Sequence, residues 1–216
     1  MKESILKMNE CTLIDNARFI IVDVETTGLD PNKDRICEIA YIEMIGIKND
    51  VKSFSTLVNP AIDIPSNITE ICGISNDDVK NAPFFKDIAA KIIGDFYNSI
   101  LVGHNILFDF SFIDSEIKRL GLKFPCVKLV DTVTLSKRFQ PFTHTPNHKL
   151  KNIARSINLI SDNWHRAAND VEITKQIFTY FMTKLIKDYG IKTVDELIRI
   201  AKPFQRGSNN ENPSAL

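Results

Sequence analysis

Two carboxylates, Asp23 and Glu25, stand two residues apart in an apolar run, Phe-Ile-Ile-Val-Asp-Val-Glu at residues 19–25, followed at once by Thr26, Thr27 and Gly28. Such a run reads as a buried strand, and because side chains alternate across a strand the two acids share one face. Neighbouring anions on a buried strand are costly unless a positive charge lies between them, and a divalent cation is the natural one. The plainer alternative is a strand end whose acids face water. The small residues that follow end the strand with flexible backbone, which lets a ligand approach the main chain closely.

A second group is Gly-His-Asn-Ile-Leu-Phe-Asp at residues 103–109. A helix starting near Asn105 would stack Asn105 and Asp109 on one face, beside the apolar run of residues 100–102. The helix dipole also favours a carboxylate in the first turn. The alternative is a capping Asn and an ordinary first-turn Asp, with His104 and Phe108 as packing residues. The third group is His165-Arg-Ala-Ala-Asn-Asp170. Five helical residues turn through about 500°, leaving the two side chains roughly 140° apart. Both reach one site only if His165 lies in the loop or frayed turn before the helix, where an imidazole can meet a bound water while Asp170 is held rigidly. The alternative is a surface or capping His.

These side chains need elements to carry them. Residues 19–29 give a first strand and residues 30–34 a turn. Residues 35–47 and 51–58 are β-rich runs joined by Lys-Asn-Asp, so three strands in an antiparallel meander precede any long helix. Residues 66–72 read as a short helix closed by Gly73, and Pro83 leads into a longer one through about residue 97. Residues 100–103 form a fourth strand. Ile106, Phe110, Ile113, Ile117 and Leu120 then recur at spacings of three and four, marking an amphipathic helix that stops at Gly121. Residues 127–130 are a fifth strand, and helices dominate from Thr132 onward. Ala167, Val171, Thr174, Phe178, Phe181 and Leu185 mark the core face of a long helix, and Thr193-Val-Asp-Glu196 is a capping box for a last one.

At 216 residues and 44% hydrophobic side chains, the chain can bury one substantial core as a single domain. Residues 1–17 read as an N-terminal extension, residues 18–202 as the domain, and residues 203–216, rich in Asn, Ser, Pro and Gly, as a disordered tail. No apolar stretch approaches the roughly 20 residues of a membrane span and no secretory signal is visible, so a cytoplasmic protein away from membranes is expected. Cys11, Cys37, Cys72 and Cys126 form no Cys-x-x-Cys pair, which argues against zinc and disulfides; they are expected to be buried thiols. The formal net charge is zero, so a polyanion would have to be held locally rather than by an overall basic surface.

The three groups resemble, in order and spacing, the motifs of the DEDDh 3′-to-5′ exonucleases, of the proofreading type found with bacterial replicative DNA polymerases. Val-Asp-Val-Glu-Thr-Thr-Gly-Leu-Asp-Pro at residues 22–31 looks like the first motif, residues 103–113 like the second, and His-x-Ala-x-x-Asp at residues 165–170 like the third. Residues 57–60, 68–74, 130–132 and 148–150 also resemble family landmarks. Arg166 stands where the sister group carries Tyr, which identifies the His type, and Val22 departs from a frequent Phe.

The resemblance implies an RNase H-like α/β fold, a five-stranded mixed sheet with helices on both faces. It implies two divalent ions, Mg²⁺ or Mn²⁺, as hard oxygen ligands select. Asp23 would bridge the ions, Glu25 and Asp170 would complete one site, and Asp109 would support the other. His165 would be the general base. Thr26, Thr27, Gly28, Leu29, His104, Asn105 and Phe108 would hold a single-stranded or frayed DNA 3′ end, and a replicative polymerase subunit is the implied protein partner. The same residues would also serve an enzyme that trims RNA ends.

Overall fold

The run that carries Asp23 and Glu25 is a strand, β1 (Arg18–Thr26), in the computed structural model, which describes residues 12–140, 143, 145–159 and 166–203. It pairs antiparallel with β2 (Ile36–Ile45), which pairs antiparallel with β3 (Asn49–Leu57). On its other edge β1 runs parallel to β4 (Ile100–Gly103), and β4 parallel to β5 (Lys128–Asp131). The sheet order is β3-β2-β1-β4-β5, with the acidic strand at the centre. The turn between β2 and β3 falls at residues 46–48, slightly earlier than expected, because Gly46 takes a φ of 63°. A Cβ there would lie 2.9 Å from the Asp15 carbonyl oxygen, so both the conformation and the packing require glycine.

Eight helices follow among the described residues: α1 (Ser66–Cys72), α2 (Asn76–Val79), α3 (Phe85–Phe96), α4 (Ile106–Arg119), α5 (Thr132–Arg138), α6 (Leu150–Ser156), α7 (Ala167–Tyr189) and α8 (Val194–Ala201). Strand alternation sorts them onto two faces. Phe19 and Ile21 of β1 meet a core built from α5, α6, α7 and α8, while Ile20, Val22 and Val24 meet Phe85, Ile92 and Phe96 of α3 and Phe112, Ile113 and Ile117 of α4. A smaller cluster of Cys37, Ile64, Cys72, Ile74 and Val79 lies beneath α1 and α2. This is the expected α/β layering, a five-stranded mixed sheet with helices on both faces.

Two details differ from the expectations. Cys126 is exposed, since it lies in irregular chain before β5; Cys37 and Cys72 are buried, and Cys11 lies outside the described residues. On α4, Leu120 is 38% exposed because the helix has already ended at Arg119, and the buried face instead takes in Phe112 and two acids, Asp109 and Glu116. Glu116 can be buried because Arg35 reaches it with two N–H groups, at 2.6 and 2.9 Å. Residues 12–17 pack on the domain: Ile14 is buried and donates its N–H to the Lys192 carbonyl at 2.9 Å. Residues 1–11 and the expected tail at 204–216 lie outside the described residues. No helix among the described residues is long and apolar enough to cross a membrane.

Candidate active site

Asp23 and Glu25 leave β1 on the face that α7 covers, and Asp170, in the first turn of α7, meets them there. One carboxylate oxygen from each lies within 4.8 Å of the others. The site sits toward the carboxyl ends of the parallel strands β1 and β4, the usual place for a ligand in an open α/β sheet. A register shift shapes it: Glu25 pairs with Glu38 but Thr26 pairs with Ile36, leaving Cys37 as an extra residue in β2. Such bulges bend a strand and re-aim its side chains.

Asp109 comes from α4 on the other side of β1. Its Oδ1 accepts the Val24 N–H at 3.1 Å, which fixes the carboxylate against the strand between the two acids. Asn105 does not share its face. It is the N-cap residue in the left-handed region, φ 70°, exposed, with its N–H donated to Asp131 Oδ1 at 2.8 Å. The stacked Asn105–Asp109 arrangement is therefore corrected: α4 begins one residue later, at Ile106, because Asp131 takes up the Asn105 backbone.

These acids repel one another. Burial, then the charges of Asp109, Glu25, Asp170 and Glu38, push the Asp23 carboxyl well above the usual range. Burial, then Asp170 and Glu38, raise Glu25 to about 7, with Arg166 opposing. Asp109 is raised by burial, against the pull of the Val24 N–H. Three anionic oxygen donors this close fit a hard divalent cation, whose ligands lie at about 2.0–2.6 Å.

The turn after β1 is braced from within. Thr26 donates its hydroxyl to the Gly28 carbonyl at 2.6 Å, and the Thr27 hydroxyl accepts the Arg35 N–H at 3.0 Å. A Cβ on Gly28 would fall 2.4 Å from the Asp34 carboxylate, so a larger residue there would have to displace that side chain. Leu29 projects from the turn, 81% exposed. Phe108 is partly buried against the Phe112 ring, centroids 4.9 Å apart.

His104 Nδ1 lies 3.0 Å from the Thr132 hydroxyl, tying the β4–α4 corner to the start of α5. Burial holds the imidazole neutral, lowering it from 6.5 to about 4 against the pull of Asp131 and the His148 main chain. The unfolded chain thus takes up this proton as pH falls below 6.5 while the folded chain resists until about 4, so stability drains across that window. Urea unfolding between pH 7 and 4 should show a shallower loss in His104→Gln than in the unsubstituted chain; parallel slopes would mean that this imidazole is not held neutral.

His165 lies outside the described residues. Two further acids, on β2 and β5, do not stand out as site residues in the sequence. Glu38, 2% exposed, faces Glu25 across the strand pair and accepts N–H groups from Arg166 and Ala167. Asp131 caps α5 and holds Asn105. A signal was present for Glu38, since an acid inside the apolar run Ile-Cys-Glu-Ile-Ala-Tyr poses the question already asked of Asp23.

Known proteins resemble this chain over most of its length. The chain is 38% identical over 179 residues to the DNA polymerase III PolC-type of Caldanaerobacter subterraneus subsp. tengcongensis, covering 83% of this chain and 12% of that protein. It is 33% identical over 192 residues to the 3′-5′ exonuclease DinG of Bacillus subtilis, covering 88% and 20%. It thus spans a small part of these relatives' length. Among solved structures, the zinc-bound complex of E. coli exonuclease I with single-stranded DNA has a TM-score of 0.72 at 19% identity, covering 80% of this chain and 42% of that one. Exonuclease X in complex with 5′-overhanging duplex DNA has a TM-score of 0.64 at 24% identity, covering 84% and 98%. The fold they share with this chain is the RNase H-like one expected. The exonuclease family model, RNase T, matches residues 20–178, the span that holds all three acidic motifs, and the chain belongs to this RNase T/DEDDh 3′-to-5′ exonuclease family.

Proposed function

We propose that the chain is a metal-dependent 3′-to-5′ exonuclease that removes nucleoside 5′-monophosphates from single-stranded or frayed DNA 3′ ends, in proofreading beside a replicative polymerase. The observation that carries this is the convergence of Asp23, Glu25 and Asp170 within 4.8 Å. Asp23, Glu25 and Asp170 would hold divalent ions, Mg²⁺ or Mn²⁺, with Asp109 completing a two-ion site. Bound ions of this kind neutralise charge on phosphate oxygens and acidify water.

The remaining work belongs to the chain. His165 takes a proton from the attacking water. Thr26, Thr27 and Gly28 would border the terminal nucleotide, with the two hydroxyls already holding the shape of the turn. Leu29, exposed at its tip, offers an apolar face to a terminal base, and Asn105 and the Gly103–Asn105 corner with His104 and Phe108 border the other side. The DNA in the exonuclease I and exonuclease X complexes, and the polymerase name of the relatives, support a DNA end and a polymerase setting.

A second reading, removal of nucleotides from RNA ends, is favoured by the name of the matching family model. Rates on DNA and RNA of equal sequence decide between them. On DNA with a free 3′ end and Mg²⁺, products should be 5′-monophosphates released stepwise, and a mismatched end should be cut faster than a paired one because unpairing costs a few kcal/mol. Internal cuts or 3′-phosphate products would rule the proposal out.

A further inference from the structure

Asp170 must be held at a set distance from Asp23 and Glu25, yet the helix that carries it has no cap of its own. Arg166, the N-cap residue of α7, is extended at φ −132° and ψ 121°, and its side chain makes no bond to the first turn. The missing acceptor comes from β2. Glu38 Oε2 accepts the Ala167 N–H at 3.0 Å and the Arg166 Nε–H at 3.2 Å, and its Oε1 accepts from Arg166 Nη2 at 3.0 Å. One buried carboxylate thereby fixes two consecutive residues just ahead of Asp170. The same carboxylate stands directly across the strand pair from Glu25.

We infer that Glu38 is a positioning residue, which caps α7 and grips Arg166 so that Asp170 is presented to Asp23 and Glu25. The inference rests on the exonuclease reading of that site. A role in stability alone fits poorly. Glu38 adds one more anion to a crowded group, and its partner Arg166 is 52% exposed, so the ion pair itself stabilises little. Placement is what this bond network supplies. Arg166 and Ala167 lie within the turn of chain that leads to Asp170, so their anchoring restricts the tilt and the axial position of the helix start.

The test compares Glu38→Ala, which removes the acceptor, with Glu38→Gln, which removes the charge but keeps an amide oxygen for the Ala167 N–H. Loss of a residue that orients metal-binding groups costs about 10- to 100-fold in metal affinity or activity. Glu38→Ala should lower kcat on a 3′-ended oligonucleotide by about that factor with KM little changed, and Glu38→Gln should recover most of the loss. The rise in melting temperature on adding Mn²⁺ should shrink in Glu38→Ala and return in Glu38→Gln. That second readout separates this inference from the exonuclease reading: an inactive unsubstituted chain refutes the reading, while the Mn²⁺ response still reports on Glu38. If Glu38→Ala does not fold, Glu38→Gln is compared with Arg166→Met, which leaves the cap and removes the guanidinium. Unchanged kcat and an unchanged Mn²⁺ response in Glu38→Ala, or in Arg166→Met where Glu38→Ala does not fold, would overturn the inference.

Discussion

Asp23→Asn is expected to abolish hydrolysis while making the metal-free protein more stable. Asp23 stands among Asp109, Glu25, Asp170 and Glu38, and burial with these charges already drives its carboxyl toward the protonated form. Asparagine keeps the shape and carries neither the charge nor the cost of taking up a proton to neutralise it. Relief of about 1 kcal/mol would raise the melting temperature in EDTA by about 2–4 °C for a chain of this size. The same change removes a ligand from the group that fits a divalent ion. Ions of this kind supply several kcal/mol of transition-state charge stabilisation, so the rate should fall by about 10³-fold or more.

Melting in EDTA and then in excess Mg²⁺ or Mn²⁺ gives the complementary measurement. An ion at 100 times its dissociation constant stabilises the folded state by about 2.7 kcal/mol. The unsubstituted chain should show a clear upward shift, and Asp23→Asn little or none. Full activity in EDTA, with a midpoint indifferent to both ions, would dismiss the metal assignment altogether.

His165→Ala should fail in a different way. The imidazole is proposed to move a proton and to hold no ion, so the variant should keep the Mg²⁺ and Mn²⁺ melting shifts and its affinity for DNA ends. Its rate should drop by about 10²- to 10⁴-fold, the usual worth of a general base. The pH profile carries the more specific signature. A base must be neutral to act, so activity of the unsubstituted chain should decline on the acid side, where an imidazole takes up a proton, and that limb should vanish from the residual activity of the variant. Wild-type rates across this range in His165→Ala would make the residue a bystander and leave proton transfer to another group.

The pattern of apolar residues was enough to read the scaffold of this protein. Alternation along residues 19–25 put Asp23 and Glu25 on one face, and the spacing of Ala167, Val171, Thr174, Phe178, Phe181 and Leu185 identified the face of α7 that is buried. Both are local properties, set by the two-residue repeat of a strand and the 3.6-residue turn of a helix. The motif order was likewise enough to recognise the family. Tertiary structure decided what each polar group is bonded to. Asn105 leaves the face of Asp109 because Asp131, 26 residues away, accepts its N–H. Glu116, which periodicity would assign to a solvated face, is buried because Arg35 reaches it across 81 residues. Glu38 finds Arg166 at a separation of 128 residues, and Gly28 lies against the Asp34 carboxylate. A carboxylate on a strand or helix looks the same in sequence whether it caps another helix, pairs with an arginine or holds an ion. Which of these it does depends on the strand register and helix placement that bring distant donors within about 3 Å, and no local repeat encodes that meeting.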